Sequence, residues 1–139
     1  MRSRPQLRPT TSGTQSPPGA PEPPRPAGRG RSAGRSRVPP MLVIAGTFNV
    51  EPSDRDAFLA AANAVMAETL REEGCHAYCF SPDISDPAVV HLFEKWESED
   101  HLGPHMKAEH IKTFGRALKG LTVNSRDLTM YEVASEKKM

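Results

Sequence analysis

Ten of the chain's 14 prolines fall within its first 40 residues, and the last two, Pro39 and Pro40, stand directly before Met41. Proline fixes φ and removes a backbone donor, so a segment this dense in it sustains neither a helix nor a sheet ladder. The same 40 residues hold eight arginines and one acid, Glu22, with little apolar beyond Leu7, Val38 and a few alanines. They cannot bury enough surface to offset their ordering entropy. Residues 1–40 are therefore expected to be a disordered Pro/Arg-rich extension. Folding is confined to the remaining 99 residues, enough for one small core. The domain is expected over 41–134, with 135–139 a frayed tail, and Met41 reads as an alternative start to the folded protein.

Charge divides at the same place. Residues 1–40 carry +7 and residues 41–139 carry −6, so the overall +1 joins a basic arm to an acidic domain. Such an arm is read as a solvated low-complexity tail rather than a nucleic-acid contact. No apolar run is long enough for a signal peptide or a membrane span, and the prolines oppose the amphipathic helix of a transit peptide. Cys75 and Cys79 lie four apart in a strand-like run, about 13 Å at roughly 3.3 Å per residue. A disulfide needs Cα atoms within about 7 Å. Free thiols are expected, which suits the cytoplasm, and CxxxC alone is a poor metal signal.

From Met41 the chain alternates between two periodicities. Met41–Val50 is apolar and β-branched and reads as a strand. Pro52 ends it, and Ser53 is placed as a helix N-cap with Asp56 as its capping-box partner. Phe58, Leu59, Ala62, Val65, Met66 and Leu70 then recur at helical spacing up to Gly74. Cys75–Ser81 is a second strand, with Cys75, Ala77 and Cys79 on one face and His76, Tyr78 and Phe80 on the other. SPDISDP (81–87) is turn chemistry. Ala88–Trp96 is a third strand, in hairpin with the second, whose Val90, Leu92, Glu94 and Trp96 share a face. Ser98 caps a short turn, and Gly103-Pro104 is expected to interrupt it, with Pro104 opening a new helix. Met106, His110, Phe114, Ala117 and Leu121 form that helix's inner stripe, and Leu128–Val133 is the last strand. The order β-α-β-β-α-β is the ferredoxin-like α+β arrangement. Both sheet faces carry apolar residues while two helices cover one, so the other is expected to meet a second copy in a homodimer.

The chemistry-bearing residues gather around residues 89–114. His110 lies on the apolar stripe above Glu94 and Trp96, where a carboxylate can tune an imidazole as a base. Trp96 offers a stacking surface for a planar substrate. His101 and His105 are spaced i, i+4 but lack a third ligand, so no metal site is expected. In a helix unbroken from Pro104, His105 lies on the wet side. His105 and His110 then differ by about 140° and cannot both point inward unless the helix breaks between them. Tyr78 and His76 share a strand face and can reach a substrate oxygen. With Glu94, Met106 and Phe114 they make up the expected substrate contacts. No phosphate loop, nucleotide fingerprint or nucleophile elbow is present.

EEGCHAY (72–78), FEKWES (93–98) and PHMKAEH (104–110), in this order and spacing, resemble the antibiotic biosynthesis monooxygenase family, and its quinol monooxygenases in particular. The resemblance spans 41–133. It implies a dimeric α+β barrel whose two sheets pack face to face. It also implies a cofactor-independent oxidation of a quinol, anthrone or similar polyphenolic aromatic, with O2 as co-substrate and no metal or flavin. The family pattern places Trp96, His105 and His110 as the catalytic residues. It differs here in having Ala108-Glu109 where the family has Ser/Thr-Pro before the second histidine. The haem-degrading relatives of this fold would need a histidine near Gly115 and an asparagine near Thr47, and neither matches. Two alternatives stay open: an isomerase of the same fold family, and a non-catalytic small-molecule-binding or stress-responsive protein.

Overall fold

The computed structural model describes Gly13 and residues 38–139. The disorder expected of residues 1–40 falls, but for Gly13 and residues 38–40, outside the described residues. Four strands, β1 (Met41–Val50), β2 (Cys75–Pro82), β3 (Val89–Trp96) and β4 (Val123–Val133), form one antiparallel sheet in the order β2-β3-β1-β4. Three helices, α1 (Arg55–Thr69), α2 (Glu99–Met106) and α3 (Glu109–Lys119), lie between them in sequence. The strand order is that of the ferredoxin-like α+β fold, with its second helical segment divided in two.

One face of the sheet carries the core. Leu42 and Phe48 of β1, Val90, Leu92 and Trp96 of β3, and Tyr78 and Phe80 of β2 are buried against Phe58, Ala62 and Val65 of α1 and Leu102 of α2. Fully burying such a side chain is worth roughly 1.5–3 kcal/mol each. Phe48, Phe58, Phe80 and Phe114 form a connected ring cluster with centroid separations of 5.4–6.0 Å. Ile111, Phe114 and Leu118 of α3 pack on this core half-buried. Gly46 is needed where β4 crosses β1, because a Cβ there would stand 1.9 Å from the Asp127 backbone oxygen.

Several local expectations are corrected. A 3-10 turn at Pro52–Asp54 precedes α1, whose N-cap is Asp54 rather than Ser53 and makes no side-chain cap. The helix ends at Thr69 and leaves Leu70 half-exposed. β4 starts at Val123, five residues before the apolar run at Leu128. It is an edge strand whose first half faces solvent, so its pairing with β1 carries no apolar signature. In β2 the register slips between Cys75 and Ala77, which oppose Trp96 and Lys95 in succession. The bulge turns Cys75 toward the core and His76 out to solvent, so the alternation read for that end of the strand fails.

The largest correction lies at Gly103-Pro104. The α2 helix runs through both residues, and the break comes three residues later, at Lys107–Ala108. Pro104 lacks the N–H that would have met the Asp100 carbonyl, and the helix nonetheless continues through it. Ala108 adopts extended dihedrals (φ −66°, ψ 149°) and starts α3 with no side-chain cap.

A histidine–glutamate cluster beside Trp96 as the candidate active site

Trp96 closes β3 fully buried, and its indole N–H donates to Glu94 Oε1 at 3.0 Å. Both side chains face the helices because they lie two apart on one strand. His105, on the inner side of α2, covers the indole with ring centroids 4.6 Å apart and meets Tyr78 edge-on at 5.4 Å. It is 2% exposed. His105 was expected on the wet side of a continuous helix. It is inside because the chain breaks after it, at Lys107–Ala108, so the face that α2 buries, Leu102 and His105, is set independently of the stripe on α3.

The break at Lys107–Ala108 then redirects the chain so that His110 returns to the same place. His105 Nδ1 and His110 Nε2 both bond Glu72 Oε2, at 2.5 and 3.1 Å. Their rings are 6.0 Å apart. His105 Nε2 lies 3.8 Å from Glu94 Oε1, so the imidazole stands between two carboxylates.

Glu72 is held there by the turn between α1 and β2. Its N–H donates to the Thr69 carbonyl, and its own carbonyl accepts from Cys75 N–H. Gly74 has φ +80°, a left-handed conformation that favours glycine, and a Cβ there would meet the His101 ring at 2.2 Å. Gly74 thus lets the turn pack on His101 of α2, and the N–H of Glu97, between β3 and α2, donates to its carbonyl. Sequence reading put Glu72 off the apolar stripe of the first helix and missed its role. The available signal was a carboxylate two residues before the glycine that turns the chain.

Burial shapes the protonation of the cluster. It raises the Glu94 carboxyl above its ordinary range; the Trp96 hydrogen bond opposes this and the Glu72 charge adds to it. Burial also lowers the His105 imidazole, against the pull of the Glu72 hydrogen bond. The Tyr78 phenol is pushed well above its usual value by burial and then by the charge of Glu94, which keeps it a neutral O–H. Burial raises the Cys75 thiol to about 11. Cys75 and Cys79 are both free.

Two hollows flank the cluster. One, of about 440 Å³ between α1 and α3, is walled by Ala61, Ala64, Val65, Phe114 and Ala117, with His110 in its lining. The other, of about 370 Å³, lies between α2 and β4 and includes Met106, Ile44, Leu128 and Met130. Trp96, Glu94, Tyr78, His105 and His110 are thus brought together, and Phe114 lines the first hollow. Met106 is not on an inner stripe: it is 62% exposed on the second hollow, because the break separates it from α3. His76 is excluded from the cluster by the β2 bulge and pairs with Glu97 at the surface.

The chain has relatives. The model of the antibiotic biosynthesis monooxygenase family matches residues 41–117. "Probable quinol monooxygenase YgiN" of Escherichia coli is 31% identical over 100 residues, covering 63% of this chain and 96% of that protein. The fold is shared with Rv0793 of Mycobacterium tuberculosis (TM-score 0.64, 22% identity, 70% of this chain and 99% of that one). It is shared equally with PA3566 of Pseudomonas aeruginosa (TM-score 0.64, 21% identity, 70% and 98%). No helix among the described residues is long and apolar enough to cross a membrane. The family match covers more than half of the chain and supports a monooxygenase-type function: the chain belongs to the antibiotic biosynthesis monooxygenase family.

Proposed function

We propose that the protein oxidises a quinol, anthrone or similar polyphenolic aromatic with O2, without a flavin or metal taking part, and does so as a homodimer in the cytoplasm. The observation that carries this reading is the Glu72-bridged histidine pair standing between buried Trp96 and an apolar hollow large enough for a two- or three-ring aromatic. Kinship at 31% identity to a protein named "Probable quinol monooxygenase" supports the substrate class.

The chemistry asks for few groups. A phenol of pKa about 10 is barely ionised at neutral pH, whereas its phenolate is electron-rich enough to reduce O2 directly. A positioned base therefore governs the rate. In the neutral pair, each histidine donates one N–H to Glu72 Oε2. His110 is thereby held with its proton on Nε2 and a lone pair on Nδ1. His110, which lines the hollow, takes the phenolic proton, and Glu72 stabilises the resulting imidazolium. Carbon of the quinol anion then bonds O2 to give a hydroperoxide, which loses water. One oxygen atom stays on the ring, the other leaves as water, and the quinol is left as a hydroxyquinone. The apolar wall of Ala61, Ala64, Val65, Phe114 and Ala117 holds the ring, and exclusion of water protects the anion until O2 adds.

Oxygen uptake by the full chain supplied with menadiol, measured above the autoxidation of menadiol alone, tests this. Saturable uptake with a hydroxylated quinone as product is expected. Menadiol that quenches Trp96 fluorescence but is oxidised no faster than without protein would replace the enzyme by a binding protein.

A further inference from the structure

We infer that Glu72, His105 and His110 form a binding site for a first-row divalent cation of the zinc class. His105 Nδ1, His110 Nε2 and a Glu72 carboxylate oxygen all lie within 4.8 Å of one another. Two imidazole nitrogens and one carboxylate oxygen are the protein ligands of many three-ligand zinc sites, with solvent completing the shell. Imidazole favours Zn2+, Ni2+ or Cu2+ over Mg2+ and Ca2+, which prefer all-oxygen shells.

Two of the three ligand separations can be set against a metal shell. Metal–ligand bonds of about 2.0–2.2 Å set neighbouring ligands roughly 3.3 Å apart in a tetrahedron. The His110–Glu72 separation of 3.1 Å is already near that, and the His105–Glu72 separation of 2.5 Å is shorter. Glu72 stands in the turn after α1 with its side chain 19% exposed, and a rotation of that side chain opens the space. His110, with its side chain 22% exposed, leaves an approach from solvent. His105 is buried, and its other nitrogen lies 3.8 Å from Glu94 Oε1, too far for a hydrogen bond, so Glu94 acts on this ligand through its charge alone. Two nearby carboxylates also offset the charge of a dication.

A cation here and the proton acceptor proposed above exclude each other. A metal on His110 Nε2 leaves the imidazole proton on Nδ1, the atom that would take the phenolic proton. The site is thus a place where a metal arrests the reaction instead of assisting it. The binding itself rests on the ligand geometry alone and not on the quinol reading.

Calorimetric titration of the full chain with ZnCl2, in a non-chelating buffer near neutral pH, tests the site. One Zn2+ per chain is expected, with Glu72→Gln and His110→Ala each weakening binding by more than about 100-fold. Glu94→Gln, which removes a nearby charge but no bond to a ligand, should weaken it by less than either. The remaining histidines are His76, His91 and His101, and His76→Ala and His91→Ala should bind as the wild type does. Co2+ should give visible d–d bands of a four- or five-coordinate site that are lost in Glu72→Gln. Both central substitutions are at partly exposed positions, and their circular dichroism should match the wild type. Absence of saturable Zn2+ binding overturns the proposal, as does wild-type affinity in folded Glu72→Gln and His110→Ala.

Discussion

His105 and His110, five positions apart in sequence, bond the same oxygen atom of Glu72. In a continuous helix they would point about 140° apart. The break at Lys107–Ala108 brings them together, so the functional geometry depends on a helix being interrupted at one place. His110 should carry the proton transfer, and Glu72 should position it. His110→Ala is expected to lower turnover by about 100- to 10,000-fold with a small change in KM. Glu72→Gln should lower turnover by a smaller factor with KM little changed, whereas a purely structural role would lower the stability of the variant and leave the turnover of its folded fraction in place. His105→Ala should cost roughly 1–3 kcal/mol of stability, because it leaves a buried space and a carboxylate short of one partner. Steady-state oxygen uptake with menadiol, alongside denaturant unfolding of each variant, checks the ranking. A silent His110→Ala would show that the base is elsewhere.

The N-terminus of α3 can be improved. Ala108 has extended dihedrals and occupies the N-cap position without a side-chain oxygen. The N–H groups in the first turn of α3 therefore have one acceptor fewer than in a helix capped by Ser or Thr. Ala108→Ser should stabilise the protein by about 0.5–2 kcal/mol. Thermal unfolding decides this. A loss of stability would mean that the hydroxyl is desolvated without a partner, Ala108 being half-buried.

The sheet face away from the helices bears on assembly. Val43, Ala45, Ala77, Phe93 and Tyr131 lie on it by register, and Phe93 and Tyr131 are 45% and 53% exposed. If two copies meet on this face, sedimentation should give twice the chain mass. Phe93→Glu, which sets charges against each other across the two-fold axis, should then give monomers. A wild-type monomer at micromolar concentration would remove the dimer from the proposed function.

Elements whose periodicity is set by a buried face could be read directly. The β3 face of Val90, Leu92, Glu94 and Trp96 and the Phe58–Val65 stripe of α1 are examples. What escaped was set by contacts distant in sequence. The bulge that ejects His76 depends on how β2 registers on β3. The polar first half of β4 is a strand only because β1 lies beside it. The helix break was assigned to Gly103-Pro104, the residues with breaking propensity, yet it falls at Lys107–Ala108, where propensity is silent. The docking of Glu72 on both histidines and the packing of Ile111, Phe114 and Leu118 on the core accompany that break. Trp96, His105 and His110 could thus be nominated from sequence, but not their mutual orientation, nor Glu72 as the group that joins them.

Glu94 gives the pH dependence of stability a definite sign. Its carboxyl is raised above the ordinary 4.5, first by burial, so the folded state holds the Glu94 proton more tightly than the unfolded chain does. That contribution is fully present below pH 4.5 and is lost as pH rises through the folded-state value. His105 acts oppositely. Burial lowers it from 6.5, so its contribution is present above that pH and is lost as pH falls through its folded-state value. Glu94→Gln removes the first effect alone: the amide oxygen can still accept the Trp96 N–H, and no buried charge forms. The melting temperature of Glu94→Gln should therefore exceed that of the wild type by a margin that widens above pH 4.5. The margin should level off once Glu94 is ionised in the folded protein. The acid-side loss due to His105 should be the same in both. Melting curves of the two proteins across mildly acidic to mildly alkaline pH make the comparison. A margin independent of pH would mean that Glu94 titrates alike in the folded and unfolded states, and that the carboxylate beside Trp96 is solvated after all.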